Sequence, residues 1–85
     1  MDFYSVLTKE ERLEVQAESS AREWSFSPID IREVFDRWEE GDIKEKAKVL
    51  YLLEDCNYHT LCGLLAKGDK AGAVAWMDAE MPLDD

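Results

Sequence analysis

The chain has 85 residues, 46% of them hydrophobic, with 20 acidic against 10 basic side chains and a formal net charge of -10. That length suits one domain with one core, two cysteines are too few for a disulfide framework of the small secreted kind, and no apolar run approaches a membrane span of about 18 residues. The charge repels nucleic acid and anionic membranes, whose recognition needs Lys and Arg against phosphate, and it attracts basic partners.

The opening MDFYSVLTKEE lacks the basic-then-apolar layout of a signal peptide, so a cytoplasmic protein with reduced thiols is expected, with residues 1–7 loose. Thr8 followed by Glu11 is a capping box, and a helix is predicted from about Lys9 to Arg22. Leu13, Ala17 and Ala21 share one face of it and are expected to point inward. Glu10, Glu14 and Glu18 follow one another a turn apart on another face.

In EWSFSPID, Trp24 and Phe26 alternate with serines, as in a short extended linker. Ser27 then caps a second helix, with Pro28 at its first position and Asp30 in its first turn. Ile31, Val34, Phe35 and Trp38 recur at the spacing of an amphipathic face. Glu33, Asp36 and Glu40 lie on the other side.

Gly41-Asp42 ends that helix, the glycine suiting a left-handed position and the aspartate capping the next helix. The third helix, about Ile43 to Glu54, is apolar over more than one face and should be the central one. A fourth is predicted from about Tyr58 to Lys67. Gly68-Asp69 repeats the same punctuation before a fifth helix, about Lys70 to Met81, with Val74, Met77 and Met81 on one face. Pro82 closes it, and 82–85 should be loose. The stretch LLAKGDKAGAVAWM resembles the turn of a tetratricopeptide-type helical hairpin. That resemblance implies a tight helix–helix turn and assigns no functional residue. The fold class expected is all-α: one compact domain of four to five short helices joined by tight turns. Its core should hold Ile31, Val34, Phe35, Trp38, Leu50, Leu53, Leu61, Leu65 and Val74.

CNYHTLCG holds both cysteines and the single histidine. Structural zinc sites draw ligands in pairs from separated clusters, and Cys56, His59 and Cys62 have no second cluster to join, short of Asp55 or a partner chain. A Cys56–Cys62 disulfide conflicts with a helix, since six helical residues rise about 9 Å. A Cys62 nucleophile with His59 as base lacks an oxyanion loop and sits among acids that raise a thiol pKa. The segment therefore reads as packing, Gly63 allowing a close helix crossing, with no metal, no cofactor and no catalytic residue expected.

The functional expectation is a non-catalytic binding module: a small acidic inhibitor or adaptor that docks on a basic surface of a larger protein. A phage-type anti-defence inhibitor of a nucleic-acid-binding effector, anti-CRISPR-like in action, is one form of it. The residues expected at the contact are Glu10, Glu14, Glu18, Glu33, Asp36 and Glu40, with Trp24 and Trp76 as aromatic anchors. No direct nucleic acid or membrane contact is expected, and the chain should be a monomer or weak homodimer. The alternatives are a self-associating structural subunit and, last, a Cys/His metal or thiol enzyme.

Overall fold

The computed structural model describes residues 3–22 and 26–83, with the side chains of residues 3 and 4 left aside. The helices in chain order are α1 (Phe3–Val6), α2 (Lys9–Arg22), α3 (Pro28–Glu40), α4 (Ile43–Asp55), α5 (His59–Ala66) and α6 (Lys70–Glu80). The described residues hold no strand, so the fold is all-α: five longer helices and the single turn α1. That turn lies in the segment expected to be loose, yet it packs against α4, and Leu7 behind it is buried. Among the described residues no helix is long and apolar enough to cross a membrane.

Local chemistry starts the helices where the sequence signals it. The Thr8 amide donates to Glu11 Oε1 at 2.9 Å, and the Glu11 amide donates to Thr8 Oγ1 at 3.2 Å. This reciprocal box satisfies two otherwise orphaned amides. Ser27 and Asp30 repeat it at the start of α3, ahead of Pro28. The carboxylates of Asp42 and Asp69 accept from the amides of Glu45 and Gly72, each at 2.9 Å, and so begin α4 and α6.

The turns correct one expectation. Gly41 has φ −80 and is not left-handed. Its lack of a side chain serves a close approach instead, since a Cβ there would meet Glu45 Cβ at 2.6 Å and the Arg37 carbonyl at 2.7 Å. Among the described residues the left-handed positions are Gly68 (φ 76) after α5 and Asn57 (φ 66) between α4 and α5. Asparagine tolerates that region better than most residues.

Helix α4 is the central element, as its apolar breadth predicts. It packs against α1, α2, α3 and α5 and buries Ala47, Val49, Leu50, Tyr51, Leu52 and Leu53. Ile31, Val34 and Phe35 of α3, Leu61 and Leu65 of α5, and Ala73 and Met77 of α6 complete the core. Two expected core residues are only partly buried. Trp38 stacks on Phe35 and carries the Lys46 ammonium 5.1 Å from its ring, and Val74 packs at the edge of the core.

Helix α2 is rotated relative to its expected orientation. It buries Val15 and Ser19, whereas Leu13 is 53% exposed and Ala17 and Ala21 face solvent. The rotation is held by side chains that reach α4. Lys44 Nζ lies 2.8 Å from Glu11 Oε1, Gln16 donates to the Tyr51 hydroxyl at 2.6 Å, and buried Ser19 meets Cys56 Sγ at 3.3 Å.

Candidate functional site

The cysteine–histidine segment disperses its three groups. Both cysteines are buried and neither is in a disulfide. Cys56 contacts Ser19, and Cys62 donates to the Leu50 carbonyl at 3.3 Å. Burial, with Glu54 adding to it, pushes the Cys62 thiol up to about 11. Such a thiol is protonated at neutral pH and a poor nucleophile. His59 points outward, its Nδ1 3.0 Å from Glu54 Oε2. Among the described residues no group of three His, Cys, Asp or Glu is placed to hold a metal. Gly63 does not serve a helix crossing: a Cβ built on it meets nothing within 4 Å.

The expected contact acids separate into three sets. Glu18 is partly buried and paired. Its Oε1 lies 2.8 Å from Arg37 Nη1 and 3.3 Å from Arg22 Nε, while Arg37 Nε reaches Glu45 Oε1 at 2.9 Å. This chain ties α2, α3 and α4 together, and Glu18 leaves the list of surface acids for that reason. Glu14 is exposed, with Lys48 Nζ 4.0 Å from its Oε2, and Glu10 is exposed with no basic partner among the described residues.

Helix α3 carries the third set. Its inward line is Ile31, Val34, Phe35 and Trp38, so the opposite line is Ile29, Glu33, Asp36 and Glu40 at helical spacing. Ile29 is 62% exposed. Glu33, Asp36 and Glu40 are all exposed, and none has a basic partner among the described residues. Every basic side chain that α3 contributes is already engaged, Arg32 with Asp78 and Arg37 with Glu18 and Glu45.

The aromatic anchors fare differently. Trp24 lies outside the described residues. Trp76 is partly buried and edge-on to Tyr58 at 6.3 Å, and Tyr58 in turn is edge-on to Phe26 at 5.1 Å. These rings close the side of the core around α5 and α6, so Trp76 is a packing residue rather than a free anchor.

Sequence reasoning missed a cleft on α6. Its volume is about 560 Å³, and it is lined by Lys70, Ala71, Val74, Ala75 and Asp78. At its two ends α6 is tied to α3: Lys70 Nζ to Glu39 Oε2 at 2.7 Å and Arg32 Nη2 to Asp78 Oδ1 at 3.0 Å. The signal in the sequence was the pair of alanines a turn apart, Ala71 and Ala75, between Lys70 and Asp78, but the partners that hold those two charges come from a distant helix. No family model matches the chain, and no curated protein or solved structure matches it either.

Proposed function

We propose that this domain is a non-catalytic protein-binding module that docks, through the outer line of α3, on a basic surface of a larger protein. The observation that carries it is the set Glu33, Asp36 and Glu40, exposed and without basic partners among the described residues, whereas Glu11, Glu18, Glu45 and Asp78 are each paired. Unpaired like charges a turn apart mildly destabilise a helix, and a basic partner removes that penalty while charge steers its approach. Glu10 and Glu14 extend the same field on α2. A nucleic-acid-binding protein, whose groove is built for phosphates, is the target class that such a surface suits, and the domain then acts in the cytoplasm as an inhibitor or adaptor.

The test compares wild type with the Glu33→Lys, Asp36→Lys, Glu40→Lys variant as baits in source-cell lysate, followed by affinity measurement on the captured partner across a salt series. The variant binds more weakly and with less salt dependence, at an unchanged melting temperature. Equal binding by both across the series rejects the proposal. A second reading, self-association as a small helical subunit, draws on the outward Leu13, Ala17 and Ala21 of α2. It requires a dimer in sedimentation equilibrium that Leu13→Ser dissolves.

A further inference from the structure

We draw no further inference here: the strongest candidate, the cleft on the outer face of α6 lined by Lys70, Ala71, Val74, Ala75 and Asp78, has both of its charged residues already paired with α3, and nothing in the structure shows what covers its apolar part.

Discussion

Gly63 and Gly68 are close in sequence and opposite in character. Gly63 sits inside α5 with open space where a Cβ would be. Gly63→Ala therefore raises stability by about 1 kcal/mol, the usual helix preference of alanine over glycine. Gly68 holds φ 76, a conformation that costs other residues roughly 1–2 kcal/mol, so Gly68→Ala lowers stability by about that amount. Urea unfolding of the two variants should give shifts of opposite sign. Glu11 marks a second residue-scale effect. Hydrogen bonding from Lys44, then from Thr8, holds its carboxyl at about 2, below the ordinary 4.5. A carboxylate favoured by folding contributes stability above its unfolded pKa and loses it as pH falls through the folded one. The gap in melting temperature between wild type and Glu11→Gln should be constant above pH 4.5 and close as pH approaches 2. A gap that widens toward acid contradicts this assignment.

At the scale of the element, α2 shows where sequence reasoning holds and where it stops. Its start was legible because Thr8 and Glu11 are neighbours and their hydrogen bonds are local. Its inward face was not, because two lines compete on it: Leu13, Ala17 and Ala21 against Val15 and Ser19. The first is the more apolar, yet the second is buried. The choice is made by residues far along the chain, namely Lys44, Tyr51 and Cys56. The pairing of Glu18 was hidden for the same reason, since its partner Arg37 stands on another helix. By contrast α4, apolar over more than one face, left little choice to make, and α3, with one clean apolar line, showed both its core face and its acidic one. The contrast is measurable. Leu13→Ala should change stability by less than about 0.5 kcal/mol, as for an ordinary surface site. Leu53→Ala, fully buried in α4, should cost about 2–5 kcal/mol. Comparable losses at both sites contradict the observed rotation of α2.

At the scale of the molecule, the principal dimensions are 39 × 26 × 20 Å, and the contacts are distributed unevenly within them. Four helices lean on α4, whereas α6 joins the rest mainly through α5 and more thinly through α3. Its two ties to α3 involve side chains open to water, with Lys70 60% and Asp78 68% exposed, and pairs of that kind contribute little. Opening in proteins follows such differences, in cooperative pieces that cost less than unfolding the whole. The amides of α4 should therefore exchange with solvent deuterium only when the entire chain unfolds, and those of α6 should exchange sooner, as one separate unit. Equal protection of both helices contradicts this. A change that strengthens the Arg32–Asp78 or Lys70–Glu39 tie would therefore be recorded first as slower exchange along α6, with α4 left unchanged.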